Sequence, residues 1–295
     1  MIRRWLVAAV LAAMIAFPVC AERLRIVYTN DLHSRLERLA SIEAKIAAAR
    51  EAGDPVLLVD AGDAWQDFRI PIYAMWGSEL MQAWMDRVGY DAMALGNHEV
   101  DLGWSVMRNL TKRASFPVLC ANVAAVDGTA SPFPRSLVIE LGGLDVLVIG
   151  ITTPESFPAL GIPWLRPTDP ATALQQEIDG AADRPDLIVC LAHVPVREAE
   201  ALAVAVPQVN VFVTGHSHEM TATPVAVGRA LIVQSGAFGQ YVGELVLDVQ
   251  GGSARLIDNT LAPTKEEAGT DFGPGLTHLA GILLLVLAFS LLLAL

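Results

Sequence analysis

The sequence predicts an α/β fold built from two sheets. From Arg25 onward, short runs rich in β-branched residues alternate with longer segments of helical periodicity, and this alternation is typical of a sheet covered by helices. Residues 223–260 then become strand-rich, with turn glycines at 228, 239, 251 and 252, which predicts a second and more antiparallel sheet. The chain has 295 residues, of which 53% are hydrophobic, so a packed core is expected.

Each element is predicted from its own local pattern. The predicted strands cover residues 25–29, 55–59, 91–95, 117–121, 136–141, 144–149, 186–192 and 209–214. The predicted helices cover residues 36–52, 70–89, 102–114 and 196–206. Gly142 and Gly143 separate two of the strands, which predicts a hairpin at that point.

The N-terminal segment has the pattern of a secretory signal peptide. Two arginines precede an apolar run at residues 5–17, and small residues suit cleavage after Ala21. An uncleaved anchor is the first alternative, but the run is shorter than the roughly 17–25 residues that a membrane span needs. A lipoprotein site at Cys20 is the second alternative, although the two residues before it suit that signal poorly. We therefore predict a signal peptide at residues 1–21.

The C-terminal segment predicts a membrane anchor at residues 276–295. Leu279 to Leu295 is uninterrupted and apolar except for Ser290, whereas a buried core helix, the alternative, normally keeps a polar stripe. The small residues at 268–270 followed by this tail also match a lipid-anchor attachment signal. Residues 262–275 carry Pro, Gly and acidic residues and predict a linker. The main domain is then residues 22–261, exported and membrane-anchored, and lies in the periplasm or outside the cell.

The charge balance excludes one class of partner. The net charge is −12 and the pI is about 4.9, so the chain lacks the basic field that duplex nucleic acid binding needs. A phosphorylated ligand would therefore need local positive charge. Of the three cysteines, Cys20 leaves with the signal peptide, and Cys120 and Cys190 lie in apolar strand-like runs, which favours buried free thiols over a disulfide.

Five of the six histidines follow strand-like runs directly, beside aspartates or an asparagine. The five segments are residues 30–33 (Asn-Asp-Leu-His), 60–63 (Asp-Ala-Gly-Asp), 96–99 (Gly-Asn-His-Glu), 192–193 (Ala-His) and 215–218 (Gly-His-Ser-His). An α/β sheet places its ligands at the carboxyl ends of its strands. We therefore expect these side chains to converge on one edge of the sheet.

The side chains in these segments are suited to divalent metal ions. Carboxylate, amide and imidazole donors are all present without a thiolate, and manganese, zinc and iron accept such a set. One ion needs only about four donors, so the set predicts two ions with a bridging carboxylate, for which Asp63 is well placed. Each motif alone has an ordinary alternative, such as a helix cap or a turn. Their joint occurrence in this order carries the prediction.

In these motifs the chain resembles the calcineurin-like metallophosphoesterases, and within them the metallophosphatase domain of the 5′-nucleotidase family. The resemblance covers about residues 24–260 and is most specific at 28–33, 60–63, 89–103 and 215–218. It implies a four-layer α/β/β/α sandwich of two mixed sheets. We expect no counterpart of the family's separate C-terminal nucleotide-binding domain, because the predicted anchor begins about where that domain would start.

The resemblance also implies a role for each site residue. One metal would be held by Asp31, His33, Asp63 and His218. The other metal would be held by Asp63, Asn97, His193 and His216, with Asp63 as the bridge. His98 would contact the phosphoryl oxygens and stabilise or protonate the leaving group, and Glu99 would be structural. Asp101 would fix the tautomer of His98; the alternative, compatible with that role, is a helix N-cap before Leu102.

The implied function is dimetal-dependent hydrolysis of a small phosphorylated substrate such as a nucleotide, by a phosphomonoesterase or a cyclic phosphodiesterase acting outside the cytoplasm. One alternative is hydrolysis of another oxyanion ester, such as a sulfur-linked sulfonate. A second is an anchored protein that binds or senses metal without turnover. The leaving-group pocket would come from the loops at residues 65–76 and 153–166, whose aromatic residues alternatively pack as core.

Overall fold

The computed structural model describes residues 22–66, 71–101, 103–153 and 162–266. The predicted signal peptide at residues 1–21 and the predicted anchor at residues 276–295 lie outside this part of the chain. Within the described part, no helix is both long and apolar enough to cross a membrane. The last strand ends at Pro263, so the start of the segment predicted as a linker belongs to a strand.

The first sheet combines a parallel centre with an antiparallel edge. Its strands are β1 (Glu22–Thr29), β2 (Val56–Asp60), β3 (Ala92–Ala94), β4 (Val118–Leu119), β13 (Tyr241–Gln250) and β14 (Ser253–Pro263). Their spatial order is β14-β13-β1-β2-β3-β4. Strands β1 to β4 run parallel to one another, whereas β13 is antiparallel to both β1 and β14.

The second sheet has a parallel centre with an antiparallel strand on each side. Its strands are β6 (Ser136–Leu141), β7 (Leu144–Thr152), β9 (Leu187–His193), β10 (Val211–Thr214), β11 (Val225–Val227) and β12 (Ala230–Val233). Their spatial order is β11-β12-β10-β9-β7-β6. The four central strands are parallel, and β6 and β11 pair antiparallel at the edges. A separate short pair joins β5 (Val123–Ala125) to β8 (Leu165–Pro167).

The helices cover the outer face of each sheet. They are α1 (Leu39–Glu51), preceded by a 3-10 turn at Leu36–Arg38, α2 (Pro71–Val88), α3 (Trp104–Arg113), α4 (Pro170–Asp179) and α5 (Val196–Ala205). One apolar cluster joins α1, α2 and α3 to the first sheet, a second lies between the two sheets, and a third joins α4 and α5 to the second sheet. These three cores define four layers, α/β/β/α, as the resemblance implies.

Alternation along β1 shows how the sequence specifies two of these cores. Leu24, Ile26 and Tyr28 belong to the core between the sheets, whereas Val27 belongs to the core under the helices. Successive side chains of a strand point to opposite faces, so a strand buried on both faces is apolar almost throughout. Tyr28 pairs with Gly243 of β13, where a Cβ atom would collide with the tyrosine ring. The glycine at this position therefore makes room for the ring.

The expectation that residues 223–260 form a separate antiparallel sheet is wrong. Strands β11 and β12 complete the second sheet, whereas β13 and β14 cross to the first sheet and extend it past β1. Local pattern does not specify which sheet a strand joins, because that choice depends on partners far away in the chain.

The elements α4, β5 and β8 were not predicted from local pattern. Cys120 and Cys190 are buried and free, as predicted.

The core between the sheets predicts a large loss of stability on truncation. Leu57 on β2 is fully buried in this core, so Leu57→Ala should lower the free energy of unfolding by about 3 kcal/mol. The comparison is Leu80→Ala on α2, where the leucine is 38% exposed and a change below about 0.5 kcal/mol is expected. Urea unfolding of both variants measures the difference. Equal losses would contradict the placement of Leu57 in a sheet-to-sheet core.

Candidate metal centre

The predicted site residues meet where parallel strands of both sheets end. Asp31 and His33 follow β1, Asp63 follows β2, and Asn97 and His98 follow β3. From the second sheet, His193 is the last residue of β9, and His216 and His218 follow β10. The strands concerned are parallel within each sheet, so their carboxyl ends lie at a common edge.

Asp31, His33 and His218 form the first donor group, with donor atoms within 4.8 Å of one another. Nε2 of His33 lies 3.2 Å from Nε2 of His218, and Nε2 of His218 lies 3.4 Å from an oxygen of Asp31. Nδ1 of His33 donates to the carbonyl oxygen of Gln66 at 2.8 Å. This bond directs the other ring nitrogen of His33 towards the group.

Asp63, His193 and His216 form the second donor group, also with donor atoms within 4.8 Å of one another. Nε2 of His193 lies 3.1 Å from Oδ2 of Asp63, and Nδ1 of His193 donates to the carbonyl oxygen of Ala61 at 2.8 Å. The amide oxygen of Asn97 lies 3.1 Å from Nε2 of His193 and 2.8 Å from Nδ1 of His216. Asn97 is therefore a fourth donor at this group.

The two groups are adjacent. The backbone N–H of His216 in the second group reaches both carboxylate oxygens of Asp31 in the first group at 3.1 Å. The carboxylate of Asp63 is close enough to His33 for its charge to oppose the burial that lowers the pKa of that imidazole. The structure thus brings all seven residues predicted as metal ligands to one place.

His98 lies beside these groups without belonging to either. Its Nδ1 donates to Oδ2 of Asp101 in a short hydrogen bond, its ring lies 5.3 Å from that of His33, and its side chain is 41% exposed. The bond to Asp101 raises the pKa of His98 to about 9. With Nδ1 committed to Asp101, Nε2 is the ring nitrogen left to face a ligand.

The buried carboxylates fit a cationic ligand. Asp31 and Asp63 are almost completely buried, and among the described residues their ion-pair partners are histidines, with no lysine or arginine. Burial opposes the charge on Asp63, yet neighbouring imidazoles, His193 first, hold its pKa below the usual value. The same pairing overcomes the effect of burial on His193 and raises its pKa to about 10. A bound cation would supply this compensating charge, because buried charge requires a partner.

The backbone around the donors is strained. The described non-glycine residues with positive φ are Asp31, His33, Ser34, Asp63, His216, His218 and Phe238. Five of these seven are predicted metal ligands, and such conformations cost about 1–3 kcal/mol each and cluster at functional sites. Backbone bonds hold the two loops after β1 and β2 together, since the N–H groups of residues 31, 33 and 34 donate to the carbonyls of residues 62, 63 and 64 at 2.8–2.9 Å.

Glu99 joins two of the loops that carry donors. Its buried carboxylate accepts hydrogen bonds from the backbone N–H groups of Asp63, Ala64, Trp65 and Gly96 at 2.8–3.2 Å. Burial, reinforced by the charge of Asp63, raises the pKa of Glu99 to about 8. A Cβ atom at Gly96 would collide with Asp63 and Glu99, so this close approach requires glycine. Glu99 is structural, as predicted, but the motif alone did not identify the loop that it holds.

Asp60, Trp65 and Trp164, which the sequence motifs and predicted loops also include, lie outside both donor groups. Asp60 belongs to neither donor group; it accepts from Thr29 Oγ1 at 2.6 Å and Gly62 N at 2.8 Å, and burial raises its pKa to about 7. Trp65 is buried in the core under the helices, which agrees with the packing alternative. Trp164 is 39% exposed and packs edge-on against Trp104. Residues 67–70 and 154–161 of the predicted pocket loops lie outside the described residues.

Comparison with known proteins identifies the family. A sequence model of the calcineurin-like phosphoesterases matches residues 24–220. The 5′-nucleotidase of Bos taurus is 33% identical over 272 residues, which cover 76% of this chain and 46% of that protein. The uncharacterized metallophosphoesterase YunD of Bacillus subtilis (strain 168) is 28% identical over 236 residues, covering 77% of this chain and 51% of that protein.

A solved structure agrees with these matches. The crystal structure of a 5′-nucleotidase precursor from Thermus thermophilus superposes with a TM-score of 0.69 and 27% identity, covering 92% of this chain and 59% of that one. The chain therefore belongs to the calcineurin-like phosphoesterase family, which confirms the resemblance predicted from the motifs. It spans about half the length of the curated relatives it matches.

The bonds to Glu99 predict that its removal destabilises the domain. Glu99→Ala leaves four backbone N–H groups without their acceptor, so the free energy of unfolding should fall by about 3 kcal/mol. Glu198→Ala on α5 removes an exposed glutamate and should change it by less than about 0.5 kcal/mol. Thermal unfolding of the metal-free proteins compares the two. A Glu99 variant as stable as the Glu198 variant would show that the four bonds are dispensable.

Proposed function

We propose that this chain hydrolyses phosphate esters with two divalent metal ions. The observation that carries the proposal is the meeting of two donor groups beside a histidine that belongs to neither of them. A protein that only binds or senses metal needs the donors but has no use for the His98–Asp101 pair. Membership of the calcineurin-like phosphoesterase family supports the same reaction class.

The proposed ligands divide between the two donor groups. Asp31, His33 and His218 hold one ion, and Asn97, His193 and His216 hold the other, with Asp63 shared between them. Manganese, zinc and iron all accept carboxylate, amide and imidazole donors. When bound, such ions offset the negative charge of the phosphoryl oxygens and lower the pKa of water enough to make it a nucleophile at neutral pH.

His98 acts on the leaving group in this proposal. Because Asp101 occupies Nδ1, Nε2 is the ring nitrogen of this half-exposed side chain that remains available to a substrate. His98 donates the proton on Nε2 to the leaving oxygen as the P–O bond breaks, so the product departs as an alcohol rather than an alkoxide. Asp101 keeps the imidazole in the required tautomer and stabilises its protonated form.

The proposed substrate is a small phosphate ester such as a nucleotide, cleaved by phosphomonoesterase or cyclic phosphodiesterase action. The 5′-nucleotidase relatives support this class of substrate.

The proposed location is outside the cytoplasm on a membrane anchor, supported by the arginine-led apolar segment at residues 1–21 and the apolar segment at residues 276–295. N-terminal sequencing of chain purified from membranes should begin at Glu22, and an intact Met1 in soluble extract would contradict this location.

Metal ions should stabilise the folded protein. At about 100 times its dissociation constant, each bound Mn²⁺ should raise the free energy of unfolding by about 2.7 kcal/mol. Asp63→Ala removes the shared carboxylate, so most of this stabilisation should disappear. Asp183→Ala, at an exposed aspartate away from both groups, is the matched control and should keep it. Thermal unfolding with and without a chelator measures the difference. A wild-type melting temperature that does not change with Mn²⁺ would contradict the proposed centre.

Loss of His98 should separate catalysis from metal binding. His98→Ala should lower kcat for release of phosphate by about 1000-fold while two ions remain bound, because the imidazole moves a proton but holds no metal. Asp101→Asn should lower kcat by about 10-fold to 100-fold through the orientation of His98. Phosphate release from a panel of nucleotides, cyclic nucleotides and bis-aryl phosphate esters, together with metal analysis, provides the measurement.

The outcomes of this panel discriminate among the functions. Metal-dependent release that is lost in His98→Ala supports the phosphoesterase. Undiminished release in that variant would contradict the role given to His98. No release from folded wild-type protein carrying two ions would overturn the proposed reaction and favour another oxyanion ester, such as a sulfur-linked sulfonate, or a binding role.

A further inference from the structure

Phe238 is a strained residue with no assigned role in the proposed reaction. Its φ is 58°, in the left-handed region that favours glycine. The other described non-glycine residues in this region are five of the seven predicted ligands and Ser34, which lies in the same loop as Asp31 and His33. Strain of this kind persists where the surrounding structure fixes the backbone, and it concentrates at functional sites.

Hydrogen bonds to its backbone tie the loop of Phe238 to both segments of the first donor group. The N–H of Phe238 donates to the carbonyl oxygen of Asp31 at 2.7 Å, and Nδ2 of Asn30 donates to the carbonyl oxygen of Gly236 at 2.6 Å. The N–H of Gly236 donates to the carbonyl oxygen of Glu219, the residue after His218, at 2.8 Å. The position of the phenyl ring is therefore set by the same backbone that carries the donors.

The ring of Phe238 contacts both imidazoles of the first donor group. Its centroid lies 5.0 Å from that of His218, with the planes at 81°, and 5.3 Å from that of His33, with the planes at 38°. The guanidinium carbon of Arg35 lies 5.1 Å from the centroid of the same ring. Edge-on aromatic contacts and cation–π contacts are both attractive, so the ring is held in place while it packs against the two histidines.

The two histidines differ in how else they are held. Nδ1 of His33 is fixed by the carbonyl oxygen of Gln66, and His193 in the second group is fixed by that of Ala61. Among the described residues, Nδ1 of His218 has no such hydrogen-bond partner, and its side chain is 39% exposed. Within the described residues, two rings lie edge-on to His218: that of Phe238, and that of His33 at 5.2 Å between centroids. Of the two, only Phe238 lies outside the donor group, so it can restrict the rotation of His218 without itself binding metal.

We infer that Phe238 is a positioning residue that orients His218 for binding of the first metal ion. The inference rests on the proposed dimetal function. Metal-bound imidazoles usually gain their orientation from a hydrogen bond at the second ring nitrogen, and loss of that partner lowers metal affinity about 10-fold to 100-fold. Here an aromatic edge takes the place of that hydrogen bond at His218.

Calorimetric titration of the metal-stripped full chain with Mn²⁺ tests this inference. Wild type should bind two ions. Phe238→Leu removes the ring but keeps an apolar side chain at the same backbone strain. Phe238→Asn also removes the ring and suits positive φ. Both variants should bind one of the two Mn²⁺ ions about 10-fold more weakly than wild type. Phe238→Tyr restores the ring and should bind both ions like wild type. Equal affinities in the Leu, Asn and wild-type chains would overturn the inference.

Two further comparisons separate positioning from a general effect on folding. Phe116→Leu removes a buried ring that packs near Tyr90, so it should lower the melting temperature but leave both Mn²⁺ affinities unchanged. In a His218→Ala background, Phe238→Leu should cost no further affinity, because the ring acts through that imidazole. A further 10-fold loss there would contradict the route through His218. Wild-type chain that binds fewer than two ions would instead overturn the proposed function, and this inference with it.

Discussion

Two buried carboxylates, which have no lysine or arginine partner in the described part of the chain, determine what the rest of the site must supply. Asp31 and Asp63 lie in the interior at the strand ends, and they face imidazoles, backbone N–H groups and the side-chain amide of Asn30. Imidazoles must be neutral to bind metal and then supply nitrogen donors but no charge, so cations must replace the positive charge that protonated histidine gives the metal-free cluster. The divalent ions of the proposed centre would supply this positive charge.

The sheets supply the rigidity that the loops need. Each donor loop leaves a strand that is hydrogen-bonded on both sides, and Glu99 then joins the loop after β2 to the loop after β3. Left-handed conformations at several non-glycine residues are tolerated because these anchors fix the chain on either side. The strain therefore serves the placement of donor atoms, and the stability of the surrounding sandwich offsets it.

The sequence predicted which residues meet at the site better than it predicted the topology. Asp31, Asp63 and His193 stood out because carboxylates and imidazoles after strands have few structural reasons to recur. The contributions of Glu99 and Phe238 were not predictable, since one depends on which backbone N–H groups meet a carboxylate and the other on ring contacts across residues far apart. The pairing of β13 with β1 in the first sheet was also missed, because the hydrophobic pattern of a strand does not specify which strand it pairs with.

Each donor group draws on both sheets, and this division has a consequence for how the protein matures. His33 and His218 are 185 residues apart in the chain, and they come together only when the first sheet has packed on the second. A newly made chain therefore offers no complete pair of ion sites until both halves of the sandwich have formed and docked. Ion capture at the proposed centre would consequently be a late event in folding, and the ions would lock a finished arrangement of layers rather than nucleate it.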